Sequence, residues 1–354
     1  MKRILSVILA SVMIFGCLAM TASAESYYAD TTSPIFSDVD GKWYTDYVYT
    51  VFHKGIMEGT SPKDTWGTEH STFEPDATLT RAMLITILVR YAEKIYKNSL
   101  EIPGDFNFRY TDVKEGKWYF EYIVKANANG IVQGYPDMTM RPEAPVTREE
   151  AVLMISRMIF NSKITGDSAV YFINDAPKEP FKDEDKITVG TNALTCTQML
   201  VRMGVICGDN EGYFRPKASI TRAETAKIIS VLSEIKAVDT KVIDSDLAEL
   251  SYEAEENIAR PGDIDKSATA IVKYNRAFCY YGEVDAYYPR GFVEGADSLH
   301  ISLCMAGFNI VEKGTVAWDF GYIFPDDAET GTYDITVKSF FGEEVFPDVI
   351  TVTK

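Results

Sequence analysis

Histidine is scarce: His53, His70 and His300 are the only three in 354 residues, and they lack the spacing that metal ligation needs. Nucleophile elbows, phosphate loops and dinucleotide fingerprints are also missing. Carboxylates abound, yet the segment DSDLAEL lacks the spacing of a calcium loop. Abundance alone does not make a hydrolytic carboxylate pair. These absences argue against catalysis, and no metal or cofactor is expected. Basic residues are in deficit too, 35 against 52 acidic, for a net charge of −17. That disfavours nucleic acid and anionic membrane surfaces as partners. It leaves room for an anionic ligand wherever basic side chains are gathered locally.

Long hydrophobic runs are absent except at the start. There MKR precedes ILSVILASVMIFGCLAM, and TASA stands before Glu25, so residues 1–24 are expected to be a signal peptide. The run is short for a membrane span. A lipid anchor through Cys17 is disfavoured by Phe15, bulky where such sites are small. Removing the leader leaves 33 basic against 52 acidic residues, a net charge of −19, and no further membrane association is expected. Cysteine is sparse as well. Cys196 and Cys207 flank a predicted helix of about ten residues, which separates them by roughly 15 Å, too far for a bond. Cys279 with Cys304 is the expected disulfide.

What the chain does contain is an internal repeat. GIMEG (55–59), GIVQG (130–134) and GVICG (204–208) mark the middle of three units, opened by FSDV (36–39), YTDV (110–113) and FKDE (181–184). FEP (73–75), MRP (140–142) and FRP (214–216) follow. Seven residues after the first residue of each tripeptide comes the threonine of TRAM (80–83), TREE (147–150) or TRAE (221–224). The step from loop glycine to threonine is 13 residues in units 2 and 3 and 21 in unit 1, an eight-residue insertion. The period is about 70 residues, long enough for one supersecondary unit per repeat.

Each unit reads as helix–loop–helix. Gly55, Gly130 and Gly204 fall where a C-cap takes a left-handed residue. The threonine starts the second helix, with Glu150 and Glu224 completing capping boxes and Met83 breaking the first one. A two-helix unit cannot bury a core alone, so units at 35–97, 108–162 and 179–236 are expected to pack as one all-α domain. Arg81, Arg148 and Arg222 then stand at the first helical position, where the macrodipole penalises a cation by about a few tenths of a kcal/mol. Two readings stand. A bound anion would find guanidinium and free helix N–H groups converging, or each arginine bridges to a carboxylate of a neighbouring unit.

These ordered landmarks, in triplicate over about 35–236, resemble the S-layer homology domain family. The resemblance implies a secreted bacterial cell-surface protein held non-covalently to the wall by a secondary cell-wall polysaccharide, often carrying pyruvylated amino sugars. It also implies a pseudo-threefold bundle with binding grooves between adjacent repeats. Its contacts would be Arg81, Arg148 and Arg222, the glycines Gly59, Gly134 and Gly208, the opening acids Asp38, Asp112 and Asp183, and Trp43 and Trp118. Tyr135 of GYPD is a further candidate. One repeat would supply glycine and arginine, the next aspartate and tryptophan. That sets Gly59 and Arg81 against Asp112 and Trp118, and Gly208 and Arg222 against Asp38 and Trp43. Gly134 and Arg148 would face Asp183, where the third repeat has no tryptophan and weak binding is expected. Each candidate also has a structural alternative, the tryptophans as core and the glycines as turn residues.

Residues 237–266 are charged and poor in aromatics and read as a linker. From 267 to 354, alternating runs such as ATAIVKY, SLHISLCMAG and GTYDITVKSF suggest a small β-sandwich. Its ending is similar to the last strands of immunoglobulin-like modules on bacterial surface proteins. The expected class is therefore multidomain: an all-α three-repeat bundle followed by a small all-β immunoglobulin-like sandwich, displayed outward and available to other surface proteins. Tyr280, Tyr281, Tyr287, Tyr288 and Trp318 either form a sugar-binding face or divide between core and surface. An adhesin with its specificity in the β region, and behind it a wall hydrolase, are the alternative functions.

Overall fold

The computed structural model describes residues 35–60, 71–165, 169–177, 181–238, 248–254, 258–259, 266–282, 290–293, 298–302, 307–322, 330–339 and 341–353. The expected signal peptide at 1–24, most of the unit 1 insertion, Cys304, Tyr287 and Tyr288 lie outside the described residues.

Repeat 1 contributes α1 (Thr45–His53) and α2 (Arg81–Tyr91), which runs on as a π-helical turn, Ala92–Tyr96. Repeat 2 contributes α3 (Phe120–Ala128), α4 (Arg148–Ile159) and the one-turn α5 (Ser162–Thr165), and repeat 3 contributes α6 (Ala193–Arg202) and α7 (Arg222–Leu232). The first long helix of each repeat ends at a glycine with positive φ, +67° at Gly55, +73° at Gly130 and +76° at Gly204, which turns the chain back. The second begins at a threonine whose hydroxyl accepts the N–H three residues on. Glu150 and Glu224 complete capping boxes, and Thr80 caps without one because Met83 has no acceptor.

The three repeats close into a ring. The residue before each capping threonine donates to the next around a pseudo-threefold axis: Leu79 N–H to Ile220 O (3.0 Å), Ile220 N–H to Val146 O (3.2 Å), and Val146 N–H to Leu79 O (3.0 Å). All three side chains are buried. Around this axis α3 packs on α2, α6 on α4 and α1 on α7, so each repeat's first helix covers the second helix of the repeat before it. One apolar cluster runs through all three, as the short units require.

Strands follow, as expected, but they are not a separate module. The first, β1 (Val170–Phe172), lies between repeats 2 and 3. After the bundle come β2 (Ala248–Ala254), β3 (Ile258–Ala259), β4 (Lys266–Tyr274), β5 (Phe278–Gly282) and β6 (Arg290–Val293). The chain ends with β7 (Ser298–Ser302), β8 (Gly307–Val311), β9 (Gly314–Tyr322), β10 (Gly331–Ser339) and β11 (Gly342–Val352). One sheet has the order β1-β5-β8 and the other β2-β4-β9-β6-β7-β10-β11-β3. The larger sheet is mixed, with β6/β9, β7/β10 and β3/β11 parallel, unlike the two antiparallel sheets expected of an immunoglobulin-like sandwich.

The small sheet forms a middle layer. Along β5 the side chains alternate: Cys279 and Tyr281 join the helical core, while Phe278 packs against Tyr274 and Phe341 on the far side. Arg202 at the end of α6 fastens the layer with a bidentate pair to Glu312 (2.5 and 2.7 Å) and a bond to Asn174 O (2.8 Å). Tyr280 and Tyr281 therefore face opposite ways and both pack inward, so they do not form the sugar-binding face considered above. Cys279 is a buried free thiol rather than half of the expected disulfide. The expected linker 237–266 contributes β2, where Leu250, Tyr252 and Ala254 alternate with Glu249, Ser251 and Glu253 and pair with β4.

Candidate functional site

The opening aspartates act within their own repeats. Asp38 accepts the N–H groups of Phe73 (2.9 Å) and Glu74 (2.8 Å), Asp112 those of Met140 (2.8 Å) and Arg141 (2.7 Å), and Asp183 those of Phe214 (2.8 Å) and Arg215 (2.9 Å). In each pair the second residue is left-handed without being glycine, with φ of 54°, 51° and 57°. That conformation costs roughly 1–2 kcal/mol, and two charge-assisted bonds offset it. The aspartates thus shape the loop that the arginine of the preceding repeat in the ring meets.

The arginines reach across to the following repeat. Arg81 donates from Nε to Met140 O (3.0 Å) and from Nη2 to Gln133 O (3.4 Å), and pairs through Nη1 with Glu150 (3.2 Å). Arg148 repeats the pattern on Phe214 O (2.7 Å), Cys207 O (3.5 Å) and Glu224 (2.9 Å). Arg222 closes the circle on Phe73 O (2.7 Å) and Glu58 O (2.6 Å). No carboxylate among the described residues pairs with it, because Met83 occupies the place of Glu150 and Glu224. Arg81 and Arg222 are 3% and 7% exposed. Burial holds Arg222 below the ordinary arginine pKa, against the opposing charges of Glu74 and Asp38.

Two expectations change here. The helix N–H groups that were to receive an anion are taken: those of Arg81, Arg148 and Arg222 donate to Ala144, Ala218 and Ala77 carbonyls of the following repeat, each at 2.9 Å. The expected grouping also shifts by one repeat. Arginine and loop glycine do not come from the same repeat, since each guanidinium bonds the carbonyl just before the next repeat's glycine. Arg81 therefore meets the Gly134 loop, Arg148 the Gly208 loop and Arg222 the Gly59 loop.

The glycines are needed because the opening aromatic ring lies over them. A Cβ would stand 2.8 Å from Phe36 at Gly59, 2.0 Å from Tyr110 at Gly134 and 2.6 Å from Phe181 at Gly208. Their backbone at these points is therefore covered from within the repeat. Tyr135 lies between Arg81 and Arg141, 4.8 and 4.0 Å from its ring centre, and donates its hydroxyl to Glu150. Burial and that carboxylate push its pKa up to about 12.

A cleft of about 180 Å³ opens where three repeats meet, lined by Glu58, Gly59, Met83, Arg90, Trp118 and Arg222 among others. Gly59 and Trp118 are together as expected, with Arg222 in the place expected of Arg81. Trp118 is 55% exposed and Trp43 59%, so neither indole is core. Six residues after Asp183, where Trp118 follows Asp112, stands Val189, 92% exposed. Glu58, Met83 and Arg90 were not singled out from sequence. The spacing of Met83, Ile87 and Arg90 along one face of α2 was the available signal.

A sequence profile described as the S-layer homology domain matches residues 35–82, 109–152 and 198–226. The chain is 28% identical over 235 residues to an endoglucanase of Bacillus sp. (strain KSM-635), covering 65% of this chain and 22% of that protein. It is 36% identical over 111 residues to a cellulosome-anchoring protein of Acetivibrio thermocellus, covering 31% of this chain and 24% of that one. It is 30% identical over 159 residues to a surface layer protein of Brevibacillus choshinensis, covering 45% of this chain and 13% of that one. The chain thus spans less than a quarter of the length of each of these relatives.

Proposed function

We propose that the chain, which matches the S-layer homology domain at three stretches, is a cell-surface protein that grips a secondary cell-wall polysaccharide in the clefts between its repeats. Pyruvylated amino sugars are the residues such clefts suit. The observation that carries this reading is the first cleft, where a half-exposed indole, Trp118, stands beside the buried guanidinium of Arg222. An indole face covers the apolar side of a sugar ring. A guanidinium that pairs with no carboxylate among the described residues offers planar donors to an acidic substituent. By the same cyclic relation Arg148 and Trp43 serve the cleft at Gly208. Arg81 serves the cleft at Gly134, where Asn192 stands twelve residues before Gly204 as Trp43 and Trp118 stand before Gly55 and Gly130, so the cleft has no indole and binds more weakly.

The protein acts as a non-enzymatic anchor on this reading. The endoglucanase shares a stretch amounting to 22% of its own length, and its activity is its own. Cosedimentation of the mature chain with purified walls, before and after chemical stripping of the polysaccharide, tests the proposal. Binding should vanish with the polymer, and binding that survives stripping would refute it.

A further inference from the structure

We propose that the Tyr110 hydroxyl closes the loop of the middle repeat to the polymer, while Phe36 and Phe181, which lack it, leave the amides of Gly59 and Gly208 open to an oxygen of the bound sugar. This rests on the polysaccharide reading above and names a residue that sets one repeat apart from the other two.

The three loops are alike on either side of the glycine. The carbonyl before it, of Glu58, Gln133 or Cys207, accepts the arginine of the preceding repeat in the ring. The N–H after it donates back across the loop, from Thr60 to Thr72 O (2.8 Å), Tyr135 to Thr139 O (2.8 Å) and Asp209 to Tyr213 O (2.9 Å). The loops differ at the glycine N–H itself. That of Gly134 donates to the Tyr110 hydroxyl at 3.0 Å. Phe36 and Phe181 lie over Gly59 and Gly208 as Tyr110 lies over Gly134, but they carry no hydroxyl. Neither of those two glycine N–H groups has a partner among the described residues.

The carbonyl and N–H of one trans peptide point opposite ways. In the middle repeat Arg81 therefore holds one side of the peptide before Gly134 and Tyr110 holds the other. In repeats 1 and 3 only the arginine side is held. A backbone N–H is an obligatory donor, so one without a protein partner is left to water or to a ligand. Gly59 is half-buried and lines the cleft that holds Trp118, where a sugar hydroxyl or amide carbonyl would take this donor. At Gly134 the same oxygen would first have to displace a hydroxyl already seated. Tyr110 is thus a second handicap of the middle repeat, separate from its missing indole.

The test is hydrogen exchange at the glycine amides, read by nuclear magnetic resonance on the mature chain with isotope-labelled glycine, without and with purified wall polysaccharide. In the free chain Gly134 should exchange at least roughly tenfold more slowly than Gly59 and Gly208. Polymer should slow Gly59 and Gly208 and leave Gly134 as it was. Tyr110→Phe should release the Gly134 amide in the free chain and let polymer protect it. Phe36→Tyr should do the reverse at Gly59 and weaken polymer binding roughly tenfold by calorimetry, the scale of one hydrogen bond. Phe36 is buried, so if its added hydroxyl prevents folding, Phe181→Tyr on a half-buried ring carries the same comparison at Gly208. Polymer that binds while Gly59 and Gly208 go on exchanging freely, or Phe→Tyr variants that bind undiminished, would overturn this inference and leave the anchor reading intact. Wild type that binds no polymer would overturn both.

Discussion

Single side chains set the geometry on which every cleft depends. Asp183 is buried and holds two adjacent amide hydrogens, so Asp183→Ala should cost about 3 kcal/mol in urea-induced unfolding, both bonds being charge-assisted. Gly134→Ala should destabilise by a similar amount through overlap with Tyr110 and with the Thr139 carbonyl, and Tyr110→Ala should relieve only the first of these in the double variant. Glu150 gives a dependence on pH. Burial raises its pKa, but the Tyr135 hydroxyl, the Thr147 N–H and Arg81 outweigh that and hold it below the ordinary carboxylate value. A carboxyl depressed on folding stabilises above its unfolded pKa and loses that contribution as pH falls through the folded value. Thermal melts from pH 6 to pH 3 should therefore show a steeper acid loss for wild type than for Glu150→Gln. The capping threonines were legible in the sequence, since a cap is a local matter of spacing. The partners of the arginines were not, because their carbonyls lie more than fifty residues away in the chain.

At the level of elements, the helices followed from periodicity and glycine punctuation, and they stand where the repeats put them. The three-residue β1 had no such signal, being too short to alternate. Its pairing with β5 joins a segment between two repeats to a strand over a hundred residues later, a contact that only tertiary packing decides. The strand β2 did carry a period of two, hidden by its charge. Arg202 links these pieces, and Arg202→Ala should lower stability by about 1–3 kcal/mol, allowing for the exposed position of Glu312. Hydrogen exchange should accelerate in β5 and leave the amides of Leu79, Val146 and Ile220 protected. Equal acceleration at both places would mean that the small sheet is not a distinct layer.

Across the whole molecule, threefold repetition was plain from landmark order, but closure of the ring was not, and closure determines which arginine meets which glycine. A shift of one repeat moves Arg222 to Gly59 and leaves it without the carboxylate that Arg81 and Arg148 possess. The middle layer of strands also ties residues after 266 to the bundle, so the β region is held against the anchor rather than strung out beyond it. The most direct test of the account is the affinity of the mature chain for native wall polysaccharide with Trp118 intact and with Trp118→Ala. An indole that is half exposed should be dispensable for folding, so the melting temperature should hold while affinity falls at least roughly tenfold. Undiminished affinity in the folded variant would contradict the claim that the polymer lies in the cleft between repeats.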